Sequence, residues 1–271
     1  NDDIVVPFLV YKDLRDRGFY VSPAREGWVD DPEGAAFVVH PRGDGPWDGT
    51  VQYRVRVLGE RAAVELGSLG VVALAVVDEE SELTYLRTDV PEITGTSSAG
   101  IDGPIEGHLL EDRVLCWTPP PALYERGFYG QRMDRDDDAV QLSLLEAAYL
   151  AGEGLLAVDG GTEAIESRGR VVEGERFDRR LTVYRALRDR GVVPKTGFKF
   201  GADFRTYEDV DRVDDLGHSE LLVRVLPADA VLSPRDLALD VRLAHGVRKR
   251  MVFASVDGET VHWRSIERLT P

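Results

Sequence analysis

Three side chains able to move protons or hold charge stand near strand ends in the second half of the chain: Tyr207, His218 and Lys249. Tyr207 closes one short strand-like run, and His218 opens the next. Lys249 stands at the head of a third, in VRKRMVF. An imidazole near neutrality gives or takes a proton, and an ammonium holds developing negative charge. A phenol donates a hydrogen bond or, once deprotonated, acts as a base. Brought to one edge of a sheet, the three would form an acid–base site that needs no metal. Singly, each is ordinary. A strand-ending tyrosine is commonly a core residue, a His-Ser pair before a strand a cap, and a lysine between arginines a solvated basic run.

The stretch that must position them runs from residue 183 to 225. VYRALRDRG reads as an amphipathic helix closed by Gly191. A glycine-punctuated turn follows, then a strand ending at Tyr207, an acidic loop and the strand opened by His218. Gly197 to Gly201 (GFKFG) is not a phosphate loop, since it lacks the GK[ST] ending and a following helix. No His/Cys cluster has ligand spacing, so no metal and no cofactor are expected. His40, His108, His245 and His262 read as structural, and the acidic 134–138 run as a solvated loop.

The 271 residues suffice for two domains or one large one, and 43% hydrophobic residues suffice for real cores. No apolar run approaches the ~20 residues that span a bilayer, so no membrane association is expected. The acidic start lacks a basic leader region, and the lone Cys116 fits a reducing cytoplasm. Net charge is −16, from 49 acids against 33 bases. Only Lys12, Lys195, Lys199 and Lys249 are lysines; the other 29 bases are arginines. A diffuse acidic surface that avoids lysine points to a protein kept soluble in concentrated salt, hence a halophilic source. Such a balance disfavours broad counterion-release binding of nucleic acid, but a local basic patch suffices for a specific site.

A repeat organises the chain. VYKDLRDRG at 10–18 and VYRALRDRG at 183–191 share seven of nine positions. YRVRVL at 53–58 matches LLVRVL at 221–226, and Val77-Asp78 matches Val256-Asp257, each opening a turn. Three blocks in the same order mean an internal duplication. The fold class is therefore mixed α/β (α+β), with a duplicated domain and a small α/β domain between the copies. The first copy spans 1–90, with a helix containing Pro7, strands at 36–39, 51–58, 71–77 and 83–87, and a helix over 60–66. A Gly/Ser/Pro-rich linker covers 91–107. The small domain covers 108–174, with an apolar helix at 142–150 and a polar loop or short strand pair at 160–174. The second copy fills 175–271, with helices at 176–190 and 234–245 and an Asp257-Gly258 hairpin.

VYRALRDRG, PKTGFKFGADFRTY, HSELLVRV and VRKRMVFASV resemble the archaeal tRNA-splicing (tRNA-intron) endonucleases, and LYERGFYG with LSLLEAAYL resembles their small N-terminal domain. The likeness covers nearly the whole chain and is to the two-repeat, homodimeric type, of haloarchaeal character. It implies metal-independent excision of introns from precursor tRNA at bulge–helix–bulge sites, in the cytoplasm. Tyr207, His218 and Lys249 match the family's tyrosine, histidine and lysine. The ribose 2′-hydroxyl then attacks the adjacent phosphorus, leaving a 2′,3′-cyclic phosphate and a 5′-hydroxyl. His218 suits the acid and Lys249 the electrostatic role. Tyr207 is the base or its hydrogen-bond partner; with an ordinary pKa of about 10, a tyrosine base needs nearby cations. Arg242 and Arg264 match arginines that clamp a flipped bulge base, with surface ion pairs as the plainer reading. Asp257 and Glu259, and Asp78, Glu79 and Glu80, match an acidic loop that joins units by docking into a basic pocket.

In the first copy, His40, Thr50 and Gly70 take the places of Tyr207, His218 and Lys249, so this half reads as a catalytically dead partner. A chain with one dead and one live copy pairs as a homodimer with two live sites. Two-repeat members are expected to carry another small domain before the first repeat, whereas this sequence opens on the first repeat's helix. Two other readings remain: a non-catalytic subunit or RNA-binding module, and a metal-dependent DNA nuclease of related architecture.

Overall fold

The computed structural model describes residues 2–25, 34–98, 100–134 and 138–271. They gather into two compact units, one of 1–91, 228–255 and 263–271, the other of 92–227 and 256–262. Of the acidic 134–138 run, 135–137 lie outside the described residues.

The first copy opens with helix α1 (Asp2–Asp16), which carries Pro7 in its second turn and stops at Gly18, φ +89°. Strands β1 (Tyr20–Pro23), β2 (Phe37–His40) and β3 (Tyr53–Gly59) follow, each antiparallel to the next. Then come β4 (Val64–Glu65), β5 (Ala73–Val77), parallel to β3, and β6 (Leu83–Asp89), antiparallel to β5. Val10 and Leu14 of α1 pack on Val21, Val39, Val55, Ala73, Ala75 and Tyr85 of the sheet. The expected helix over 60–66 is not formed. Gly67 and Gly70 leave too short a run for a stable helix, and β4 is drawn into a strand pairing described below.

Several described residues of 92–107 hydrogen-bond back onto the rest of the second unit. Gly95 and Ser97 donate backbone N–H bonds to Arg190 (2.8 Å) and Gly191 (2.9 Å), and Thr96 donates to Glu208 (2.9 Å). A Cβ on Gly95 would collide with the Gly191 carbonyl, and Gly191 sits at φ +72°, so this crossing requires glycine on both sides. Next come β7 (Ile105–Glu106), β8 (His108–Leu109), β9 (Arg113–Cys116), α2 (Ala122–Glu125), β10 (Gln131–Arg132) and β11 (Val140–Ser143). Strands β10, β11, β9 and β8 form a small antiparallel sheet in that order. Ser143 caps α3 (Leu144–Gly152) with a full capping box to Glu146. Strand β12 (Leu156–Ala157) lies parallel to β7.

Helix α4 (Gly161–Glu173) stands where a polar loop or strand pair was expected. Its apolar signal is weak because it turns little more than Ile165 and Gly169 inward. A side chain at Gly169 would overlap the Phe177 ring of α5 (Glu175–Arg188). Strands β13 (Val193–Thr196), β14 (Phe204–Tyr207) and β15 (Leu221–Pro227) complete this unit's antiparallel ladder, ordered β15-β14-β13.

The remaining elements are β16 (Val231–Leu232), α6 (Pro234–Gly246), β17 (Arg250–Asp257) and β18 (Thr260–Leu269). Strand β16 pairs with β4, Arg235 N–H donates to the Glu60 carbonyl (3.0 Å), and β18 runs antiparallel to β6 from Ser265↔Asp89 to Leu269↔Tyr85. The first unit's strands are thus ordered β1-β2-β3-β5-β6-β18-β17. The duplication is visible in register: Tyr20 faces His40 in one copy, and Val193 faces Tyr207 in the other. No helix among the described residues is long and apolar enough to cross a membrane.

Candidate active site

Tyr207 is the last residue of β14, opposite Val193, and is buried. Its ring packs with Phe128, Val193 and Val210, edged by Tyr124, Val213 and Leu216. The Phe128 ring meets it at 5.7 Å and 60°, and the Arg205 guanidinium carbon lies 5.7 Å from its centre. His218 lies exposed in the loop three residues before β15. The β14–β15 ladder pairs Phe204 with Val223 and Arg205 with Leu222, and the Glu220 N–H donates to the Thr206 carbonyl (3.1 Å). Antiparallel pairing therefore carries the C-terminal end of β14 and the lead-in to β15 to one place. Tyr207 and His218 stand at the same end of this strand pair.

Lys249 belongs to the first unit, between α6 and β17, and is half-buried. The helix ends through Arg248 at φ +57°, and the Lys249 N–H donates to the Ala244 carbonyl (2.9 Å). That left-handed step, normally a glycine's, fixes how the chain turns from helix to strand. Arg242 is exposed on α6 and opens onto a cleft of about 540 Å³ shared with Glu60, Asp78, Glu82, His245 and Arg268. Arg264, half-buried on β18, is not part of that cleft.

Both acidic turns are exposed at their tips. The Asp78 carboxylate accepts from the Glu80 (2.9 Å) and Glu82 (2.8 Å) N–H groups, and Glu79 pairs with Arg61 at 2.8 Å. Asp257 and Glu259 flank Gly258, φ +57°. In the second unit, Arg113, Arg180, Lys195 and Arg205 line a cavity of about 520 Å³. Asp112, Glu173 and Glu146 pair with the first three at 2.7, 2.6 and 2.7 Å, which leaves Arg205 as the surplus cation among the described residues.

The corresponding positions of the first copy are tied into local structure. His40 is buried, with Nδ1 2.7 Å from the Thr50 carbonyl and Nε2 3.3 Å from Ser22 Oγ. A carbonyl can only accept, so Nδ1 carries the proton and Nε2 accepts from the serine. Thr50 Oγ1 donates to Asp44 (2.7 Å), and the Gly70 carbonyl accepts from Thr88 (2.7 Å).

A group absent from the sequence reading stands behind Phe128, whose ring packs on Tyr207. Lys195 Nζ donates to the Phe128 carbonyl (3.1 Å), the Gly130 carbonyl (2.9 Å) and Glu146 Oε1 (2.7 Å). Glu146 also accepts from the Gly130 N–H (2.9 Å) and the Ser143 N–H (3.0 Å). Burial pushes the Glu146 carboxyl up, but the Lys195 charge and these bonds outweigh it and hold it at about 2. Burial pulls the Lys195 ammonium below its ordinary value against the pull of Glu146. Arg188, half-buried, donates to the Gly127 carbonyl (2.9 Å) and stacks 3.8 Å over the Tyr129 ring. The available signal was composition: Lys195 is one of only four lysines among 33 basic residues.

Family models for the tRNA intron endonuclease N-terminal domain and catalytic C-terminal domain match residues 105–169 and 177–263. A tRNA-splicing endonuclease of Natronomonas pharaonis is 75% identical over 270 residues, covering 99% of this chain and 80% of the relative. The chain belongs to the tRNA-splicing endonuclease family. A tRNA-splicing endonuclease of Haloarcula marismortui is 65% identical, covering 98% of this chain and 79% of its own length. That of Methanosarcina mazei is 39% identical over 97% of this chain and 76% of the relative. The endonuclease's Tyr207, His218, Arg242 and Lys249 all lie within the catalytic match, and Arg264 one residue beyond it. The haloarchaeal relatives agree with the acidic, lysine-poor composition.

Proposed function

We propose that this tRNA-splicing endonuclease cuts precursor tRNA at bulge–helix–bulge sites without a metal, through Tyr207, His218 and Lys249. The observation that supports the reading is that Tyr207 and His218 stand at the same end of the β14–β15 pair, inside the stretch matched as catalytic domain. Tyr207, or a base it orients, takes the 2′-hydroxyl proton. The 2′-oxygen bonds to phosphorus as the bond to the 5′-oxygen breaks, and His218 protonates that leaving oxygen. Lys249 offsets the charge gathered on the phosphorane. The products are a 2′,3′-cyclic phosphate and a 5′-hydroxyl. Arg242 and Arg264 hold the flipped bulge base, and the exposure of Arg242 above an open cleft supports its share of this role.

Segment 175–271 is the catalytic domain, 108–174 its small companion, 91–107 the connection and 1–90 a structural copy. The locked His40 supports that last assignment. Two chains pair, with Asp257 and Glu259, or Asp78, Glu79 and Glu80, of one docking beside the surplus Arg205 of the other. The site of action is the cytoplasm. The test is cleavage of a model bulge–helix–bulge RNA in excess chelator, with end-group analysis of the fragments. Cyclic-phosphate ends are expected, and His218→Ala lowers the rate roughly 10²–10⁴-fold. Cleavage that stops in chelator, or full activity in His218→Ala, overturns the mechanism.

A further inference from the structure

The small-domain segment reaches Tyr207 through the Phe128 ring, with Tyr124 at the edge of the same cluster. Phe128 lies in the loop between α2 and β10, buried, at φ +51°. A phenylalanine pays for that left-handed backbone with strain, so its neighbours must impose it. They do so from three sides. The Phe128 N–H donates to the Tyr124 carbonyl (3.0 Å), its carbonyl accepts from Lys195 (3.1 Å), and the Lys195 ammonium lies 4.7 Å from its ring centre. The carbonyls on either side, of Gly127 and Gly130, accept from Arg188 (2.9 Å) and Lys195 (2.9 Å). Lys195 is itself anchored by Glu146, whose other oxygen caps α3. The result is a fixed loop whose Phe128 ring is set edge-on against Tyr207. Buried tyrosine rings sit in rotamer wells chosen by such neighbours, and catalytic groups lose rate steeply when displaced.

We propose that Phe128, clamped by Lys195 and Glu146, is the positioning residue for the Tyr207 phenol, so that the small domain sets the geometry of cleavage in the neighbouring strand pair. This rests on the assignment of Tyr207 to the reaction, and the experiment separates the two. Single-turnover cleavage of a bulge–helix–bulge RNA is measured for the wild type, Phe128→Gly, Tyr207→Phe and the double variant, with thermal melts alongside. Glycine accepts the left-handed backbone, so Phe128→Gly removes the ring without adding strain. It is expected to lower the rate at saturating RNA roughly 10–100-fold with an unchanged half-saturation concentration. In the Tyr207→Phe background it is expected to cost less than about twofold. Phe128→Tyr, which keeps the ring, should retain the rate. Phe128→Leu, which keeps apolar volume, is read in the same way if the glycine variant melts early.

An equal loss in both backgrounds overturns the positioning role and leaves that of Tyr207 standing. If Tyr207→Phe cleaves at the wild-type rate, the reading of Tyr207 fails and this inference fails with it.

Discussion

Lys195 shows why one cation type cannot replace another. Its ammonium has three N–H groups, and three acceptors converge on it: two carbonyls and the Glu146 carboxylate. A planar guanidinium cannot reach all three from one point, which explains a lysine where 29 of 33 basic residues are arginine. The pair also makes a pH prediction. The Glu146 carboxyl sits at about 2 when folded, against an ordinary 4.5. A carboxyl with a depressed folded value adds stability that is complete above its unfolded value and lost as pH falls toward the folded one. The stake is about 3 kcal/mol, and it disappears between roughly pH 5 and 2. Glu146→Gln leaves the Lys195 ammonium buried without a counter-ion, at a cost of about 3–5 kcal/mol at neutral pH. Denaturant unfolding at fixed salt should therefore show a wild type that weakens through this window and a variant already weak at pH 7 with a flatter profile. Parallel profiles would remove Glu146 from the acid response.

The duplication allows one helix to be compared with another. On α5, Phe177, Leu181 and Tyr184 are 0, 2 and 2% exposed, covered by α3 and α4. The equivalent positions on α1 are Ile4, Phe8 and Tyr11, exposed by 72, 59 and 38%. The same helix thus has a packed face in one unit and an open one in the other. Leu181→Ala should cost about 2–5 kcal/mol and Phe8→Ala less than about 1, read by denaturant midpoints. Comparable losses would mean that the α1 face is covered in solution.

This comparison also shows what was legible in the sequence. The repeat, the two long helices bearing VY-LRDRG, the strand ending at Tyr207 and the helix that starts at Pro234 all follow from period, glycine stops and caps, which are local signals, whereas the strand expected to open at His218 starts only at Leu221. Helix α4 was hidden because it buries Ile165 and little else, and because Gly169 serves a ring that packs against it. The strand within 60–66 is not encoded locally because its partner, β16, lies more than 160 residues away. Phe128 was invisible for a similar reason. Its left-handed backbone is imposed by Lys195, and no pattern within RGFYG encodes that contact.

For the whole molecule, charge decides when copies can meet. Each chain carries −16, so two chains approaching one another repel over any distance the solvent does not screen. The screening length is about 10 Å at 0.1 M salt and about 3 Å at 1 M. At low salt the repulsion between whole chains spans more than a contact and opposes association. Above about 1 M it is confined to touching groups, while apolar burial is unaffected or strengthened. A docked Asp257 or Glu259 meeting Arg205 is a contact pair and keeps more of its attraction than the diffuse repulsion keeps of its own. The proposed homodimer should therefore form as salt rises, the reverse of what an interface held by a few exposed ion pairs would do. Sedimentation in 0.1 M and 2 M potassium chloride, with cleavage measured in the same buffers, checks this. A monomer-to-dimer shift accompanied by rising activity is expected, and Asp257→Lys with Glu259→Lys should weaken the dimer at 2 M. A dimer that tightens on dilution of the salt would mean that local ion pairs outweigh the net charge, and that the acidic surface plays no part in assembly.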